Sequence, residues 1–147
     1  MLFHGYLKKG IVYVPTVAEL QTGACVDVEP VAVVPVANTD ALRRAFSDAI
    51  ARKNVVVPNP PKDKWPPPVV LRYAGAKTWS AFARGASLWS IKESKGEYRI
   101  AGYRTHPKGY WEQDPDQIIE FPPGASLDVV INRMIEVLQA AARSSSA

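Results

Sequence analysis

The sequence lacks the residues that many common functional sites require. It has one cysteine, Cys25, and two histidines, His4 and His106, among 147 residues. A single cysteine excludes an intramolecular disulfide and favours a reducing compartment. Neither histidine has a second ligand at the spacing of a metal site. We therefore predict no metal site and expect both histidines to have solvated or structural roles.

Motifs for catalysis and for cofactors are also missing. No serine lies in a nucleophile-elbow pattern, and no glycine-rich loop precedes a helix in a way that would hold phosphate. Cys25 lies between apolar residues of a predicted strand, which is typical of a buried and unreactive thiol. Asp114 and Asp116 could act as an acid–base pair, but an Asp-Pro-Asp motif is also ordinary turn chemistry. We predict no enzyme activity and no cofactor.

Long hydrophobic runs are absent as well. No segment has the roughly 20 apolar residues that a membrane-spanning helix needs, and the first ten residues do not have the pattern of a signal peptide. We therefore predict a cytoplasmic protein without a membrane partner.

The sequence does contain enough apolar residues, 47%, for an ordinary globular core. A chain of this length can bury roughly 68–70% of its extended surface, so one domain is expected. The formal net charge of +4 is unevenly distributed. Residues 69–108 carry eight basic and two acidic residues, a balance of +6, whereas residues 109–147 carry two and six, a balance of −4. This excess permits an anionic partner without requiring one.

Residue periodicity predicts an α+β domain in which antiparallel sheet packs against about three helices. Residues 1–54 are predicted to form a β-meander and one helix, Asp40–Lys53, capped by Asn38 or Thr39. The predicted strands are Phe3–Leu7, Ile11–Val14, Cys25–Glu29 and Val31–Val36. Prolines at positions 15, 30 and 35 predict strand ends or sheet edges, and alternation places Asp27 and Glu29 on the outward face.

The segment 55–68 is proline-rich, with six prolines between Asn54 and Pro68. Each proline favours extended backbone, so we predict a stiff connector without helix or central strand. A structural strap pinned by Trp65 is the favoured interpretation. The alternative is a recognition element, because aromatic grooves bind proline-rich segments.

Residues 69–143 are predicted to form a unit of helices and a β-hairpin. The predicted order is a strand at Val69–Tyr73, a helix at Trp79–Ala86 capped by Thr78, a hairpin around Lys95-Gly96, a third strand at Tyr110-Trp111, an acidic turn at Glu112–Asp116, a strand at Ile118–Phe121 and a helix at Leu127–Arg143. The large apolar residues Trp79, Phe82, Trp89, Ile91, Tyr98 and Ile100 are expected to pack together. Residues 144–147 are expected to be a frayed tail.

Basic and aromatic residues alternate along the end of the predicted hairpin. They are Arg99, Tyr103, Arg104, His106, Lys108 and Tyr110. This mixture suits nucleic acid, because cations bind phosphates and rings stack on bases. It also suits a protein partner, because Tyr and Arg are enriched at interface hot spots. The third interpretation is an ordinary solvated sheet face.

The second half of the chain resembles the small immunity proteins of bacterial contact-dependent growth inhibition systems. The resemblance covers the order of features from about Val70: a strand, Lys77–Phe82 with its Trp-x-x-Phe spacing, the aromatic segment Gly85–Ile91, the hairpin residues Glu97–Ile100, Gly109–Glu112 with its tryptophan near an acidic turn, Pro122–Gly124 and a closing apolar helix. It implies a non-enzymatic cytoplasmic protein that binds and blocks one cognate toxin domain, usually a nuclease. We expect the contacts to come from Arg99, Tyr103, Arg104, Lys108 and Tyr110, or from the acidic residues Glu112, Asp114 and Asp116. The alternative is a small basic nucleic-acid-binding domain that uses the hairpin and loop at 97–111.

Overall fold

Two antiparallel meanders form one sheet. They meet at the centre of the sheet, where the first strand of one meander pairs with the first strand of the other. The computed structural model describes residues 1–146, and side chains through Ser144. In that range the strands are β1 (Leu2–Lys8), β2 (Ile11–Leu20), β3 (Cys25–Pro35), β4 (Val56–Val57), β5 (Ala86–Ser94), β6 (Glu97–Thr105) and β7 (Trp111–Glu120). The helices are α1 (Thr39–Ala51), α2 (Val70–Ala74), α3 (Trp79–Ala83) and α4 (Leu127–Ser146). The strand order is β3-β2-β1-β5-β6-β7, with β4 parallel to β2, and the predicted α+β class is confirmed.

The strand ends and sheet edges predicted from the prolines of the first meander are only partly confirmed. β3 is one strand and not two, but it does lie at the edge of the sheet. Pro15 lies inside β2 and does not end it, because it is at a bulge where the pairing with β3 shifts register. A bulge accommodates a residue that cannot donate to the ladder.

The predicted strand at Val69–Tyr73 is wrong, since this segment forms helix α2. Pro68 supplies the first acceptor, with its carbonyl oxygen 3.1 Å from the amide nitrogen of Leu71. Gly75 ends the helix in the left-handed conformation with φ 67°, a geometry that glycine adopts without strain. The side chains of Val70 and Leu71 are both buried, which adjacent residues of a half-exposed strand could not achieve.

The proline-rich connector contains the short strand β4, which was not predicted. β4 pairs with Glu19 and Leu20 of β2, and residues 58–68 have neither helix nor strand, as expected. Trp65 is 55% exposed, so the interpretation that it pins the segment is wrong.

The acidic segment Glu112–Asp116 was predicted to be a turn, but it lies within strand β7. An edge strand can include Pro115, because the missing N–H is not needed on the open side. A register irregularity against β6 accommodates the segment, and the Asp114 carboxylate accepts a hydrogen bond from the Asp116 amide at 3.0 Å. At the C-terminus, the backbone of α4 continues through Ser146, so the predicted frayed tail is wrong up to that residue. Nothing breaks the helix there, since the tail has no glycine or proline. Ala147 lies outside the described residues.

The sheet has an apolar core on each face, where one shared cluster was predicted. The two long helices α1 and α4 cover one core, which includes Trp89, Ile91 and Ile100. The short helices α2 and α3 cover the other, where Phe82 is fully buried and Trp79 packs against it. The predicted single cluster is therefore wrong, because α3 crosses the sheet on the face opposite to Trp89.

Candidate interaction surface at the β6–β7 turn

The turn between β6 and β7 is closed by a compact set of hydrogen bonds. The His106 amide donates to the Tyr110 carbonyl at 2.7 Å, and the Gly109 amide donates to the His106 carbonyl at 2.8 Å. The imidazole Nδ1 of His106 accepts a third bond from the Lys108 amide at 3.0 Å. Gly109 has φ 94°, which favours glycine. The loop thus has a defined conformation despite its exposure.

An aromatic pair forms the outer surface of this turn. The rings of His106 and Tyr110 stack with centroids 4.4 Å apart and planes inclined by 9°. Tyr110 remains 54% exposed. A rigid exposed tyrosine offers contact area at a low entropic cost, which is why such residues are common at protein interfaces.

An ion-pair network lies beside the aromatic pair. The Arg104 guanidinium Nε lies 3.0 Å from Oε1 of Glu112, and its Nη1 lies 3.9 Å from Oδ1 of Asp114. Arg104 is half exposed, so these pairs add little to stability. Their effect is to orient one cation and two carboxylates on the same patch. Basic and acidic residues that we predicted as alternative contacts therefore form one mixed-charge surface.

Tyr103 and Arg99 are not part of that patch. The Tyr103 hydroxyl donates to Ser90 Oγ at 3.2 Å and accepts from Gln113 Nε2 at 3.4 Å. Odd-numbered residues of β6 point away from the face that Arg104 occupies. Arg99 pairs across the sheet with Lys92 and Glu120, at the far end of β6, and its Nε is buried without a hydrogen-bond partner.

The predicted contact residues thus separate into three groups. Arg104, Lys108, Tyr110, Glu112 and Asp114 lie together at the turn, with exposed Asp116 next to them along β7. Tyr103 is close in sequence but faces the opposite side of the sheet. Arg99 lies apart from both.

Aromatic contacts anchor the turn to the core on the α2–α3 face. Trp111 meets Trp79 edge to face, with centroids 5.4 Å apart, and lies 5.9 Å from Tyr6. Tyr6 in turn contacts Phe82 at 5.7 Å. Aromatic pairs of this kind stabilise by about 0.5–1.5 kcal/mol beyond their burial. The start of β7 is consequently held on a rigid base.

A polar cluster that sequence reasoning missed links β1 to β3. The Asp27 carboxylate accepts a hydrogen bond from the Tyr6 hydroxyl at 2.5 Å and lies 2.8 Å from His4 Nδ1. Burial, and then the Asp27 charge, raises the pKa of Tyr6 well above its ordinary value. The Asp27 side chain is only 12% exposed, so the prediction that it faces outward is wrong. The cluster connects β1 to β3 through side chains, although β2 lies between these strands.

Cys25 is exposed, which corrects the prediction of a buried thiol. It is the first residue of the edge strand β3 and pairs with Glu19 of β2. Residual burial, followed by the charges of Glu19 and Asp27, raises the pKa of this thiol.

Within residues 1–146, no group of three or more potential ligands is arranged to hold a metal ion. In the same range no helix is both long and apolar enough to cross a bilayer.

Comparison with known proteins identifies a shared fold. No protein-family model matches the sequence, and no curated protein matches it significantly. Among solved structures, the chain is similar to a protein of unknown function, NMB0488, from Neisseria meningitidis, with a TM-score of 0.66 and 11% sequence identity. The similarity covers 95% of this chain and 93% of that protein. At this identity the comparison shows the fold alone.

Proposed function

We propose that this protein is a non-enzymatic, cytoplasmic immunity protein that binds and neutralises a cognate toxin domain of a contact-dependent growth inhibition system. The observation that carries the proposal is the turn between β6 and β7. There an exposed His106–Tyr110 stack adjoins the Arg104–Glu112–Asp114 network on a rigid aromatic base. Preorganised aromatic and charged groups of this kind give protein interfaces their affinity and their specificity.

Nucleic-acid binding by residues 97–111 is the second candidate, and the charge arrangement disfavours it. Glu112 and Asp114 neutralise Arg104 and would repel a phosphate chain that approached the turn. Arg99 is five residues from Arg104, so about 17 Å separates them along an extended strand. The two arginines therefore do not form a continuous cationic track with Lys108.

Capture followed by growth rescue tests the proposal. Tagged protein is recovered from its own host after nuclease treatment, and the C-terminal domain of any large secreted protein bound in equal amount is cloned under an inducible promoter. We expect that domain to arrest growth when expressed alone and growth to resume when this protein is co-expressed. A captured domain that is harmless alone, or a bound fraction that disappears with nuclease, would contradict the immunity function.

A matched pair of variants tests the contact surface. Tyr110→Ala should weaken binding of the toxin domain about 30-fold, the loss typical of a hot-spot residue. Trp65→Ala is the control, because Trp65 is equally exposed but lies in the proline-rich connector; it should change the Kd less than threefold. If nucleic acid were the partner, affinity would instead fall steeply with salt, and charge reversal at Arg99 and Arg104 would abolish it.

A further inference from the structure

One end of the sheet carries a concentration of positive charge. β1 ends there, β2 and β5 begin there, and the turn from β6 to β7 lies at the same end, as the antiparallel register requires. The cations at this end, which we call the cationic end, are Lys8, Lys9, Arg84, Lys108 and Arg143. Among the described residues none of these five forms an ion pair with a carboxylate.

Lys8 shows that these charges are crowded. Its ammonium donates to the carbonyl oxygens of Ala81 and Phe82 at 2.6 and 2.7 Å, and it lies 5.4 Å from the centre of the Phe82 ring. Desolvation, and then the charges of Lys9 and Arg84, lowers the pKa of Lys8. An anion bound nearby would relieve this repulsion.

A cleft of about 780 Å³ opens between two of these cations. Lys9 and Arg143 lie on its wall together with the polar side chains of Thr39, Ser87 and Gln139, and none of the described residues that line it is acidic. The Gln139 amide is fixed by bonds to the Val36 carbonyl at 3.0 Å and to Thr39 Oγ1 at 2.9 Å. The cleft therefore combines positive charge with a defined polar wall.

We propose that the cationic end is the docking surface for an acidic face of the partner protein, with a partner carboxylate entering the cleft between Lys9 and Arg143. This inference rests on the proposed function and deepens it, because it assigns the partner a charge. Tyr110 lies on the same end of the sheet, so the aromatic stack and the cleft can contact one partner together. A protein fits better than a nucleic acid, since Glu112 and Asp114 interrupt the positive surface beside Lys108.

Charge reversal on opposite ends of the sheet tests this assignment. Lys9→Glu/Arg143→Glu should weaken binding of the toxin domain at least about 100-fold, mainly through slower association. Lys92→Glu/Lys95→Glu changes the net charge equally at the opposite end and should change the Kd less than threefold. Circular dichroism must first show that both variants melt near the wild-type temperature.

The results of these binding and rescue experiments distinguish an error in the docking surface from an error in the immunity function. If the wild type rescues growth but the Lys9/Arg143 variant binds as tightly as the wild type, the docking surface is wrong and the immunity function stands. If the wild type neither binds nor rescues, the immunity function fails, and the surface is then judged by its chemistry alone.

To test the docking surface without the toxin domain, hexaglutamate and a hexamer of thymidylate are each titrated into the protein at constant ionic strength, and binding is followed by amide NMR. Hexaglutamate should shift the amides of Gly10, Gly85 and Ser87 and the Gln139 side chain saturably, and the Lys9/Arg143 variant should lose these shifts. Absent or non-saturable shifts, or tighter binding of the thymidylate, would overturn the proposal of an acidic protein partner.

Discussion

Gly102 is a position in β6 where one added methyl group has a predictable cost. A Cβ on this residue would lie 2.8 Å from Cζ3 and 2.9 Å from Cη2 of Trp89, and 3.0 Å from Cβ of Gln117. Carbon atoms pack favourably at about 3.5–4.0 Å, so the ring or the strand would have to move by on the order of 1 Å. Trp89 belongs to the core on the α1–α4 face and is only 8% exposed, so a shift of its indole disturbs neighbours that are already packed.

Two opposing effects determine how much Gly102→Ala changes the free energy of unfolding. Overpacking of a close-packed core costs about 1–3 kcal/mol, whereas replacing glycine with alanine returns about 0.4–1 kcal/mol by restricting the unfolded chain. We expect Gly102→Ala to lower the free energy of unfolding by about 1–2 kcal/mol. Urea denaturation measures this as a lower midpoint with an unchanged m-value.

A double-mutant cycle identifies the cause. Trp89→Leu is destabilising by itself, because it removes a buried ring. In the Gly102→Ala background the same substitution should cost at least about 1 kcal/mol less, since the smaller side chain leaves room for the methyl group. A Gly102→Ala protein within about 0.5 kcal/mol of the wild type, or an additive cycle, would refute the reasoning.

Two further predictions concern the α2–α3 face and the proline-rich connector. Because the folded state raises the pKa of Tyr6, the stability due to its proton is complete below pH about 10 and is lost as the pH rises above that value. The free energy of unfolding, measured with urea between pH 9 and 11, should therefore decline less steeply in Tyr6→Phe than in the wild type. Identical slopes in the two proteins would contradict the raised pKa of Tyr6. Phe82→Ala removes a fully buried ring and should cost about 3–5 kcal/mol, whereas Trp65→Ala should stay within about 0.5 kcal/mol. Comparable losses from the two alanine variants in thermal unfolding would contradict these burial assignments.

Local signals in the sequence predicted local elements well. The turn at Lys8–Gly10, the cap at Asn38 and the apolar stripes of α1 and α4 each depend on neighbours within a few residues. The prediction for Val69–Tyr73 failed because a segment of five mostly apolar residues is too short to show a periodicity that distinguishes strand from helix. The preceding Pro68 favours the helix, because its carbonyl oxygen accepts the first hydrogen bond of the helical turn from the Leu71 amide.

The candidate site depended on contacts that no local pattern encodes. Grouping Arg99 with Arg104 ignored both the length of strand between them and the alternation of faces. The contact of Asp27 with His4 and Tyr6 joins strands that are separated in the sheet by β2, and only the strand order reveals it. The basic residues and the acidic residues of the β6–β7 turn were predicted as alternative contacts, and the structure places them side by side, because Arg104 pairs with Glu112 across the two strands.

The order of the strands also determines when the sheet can be completed during synthesis. β1 is synthesised about eighty residues before β5, one of its two partners, as the pairing of Lys8 with Ala86 shows. Until then the first meander presents β1 as an unpaired edge, which is a template for association with other chains. The second meander, β5 to β7, can form by local contacts and then dock. Long-range pairing of this kind slows folding, because the intervening chain must be ordered before the contacts form, so we expect the junction of β1 with β5 to form late.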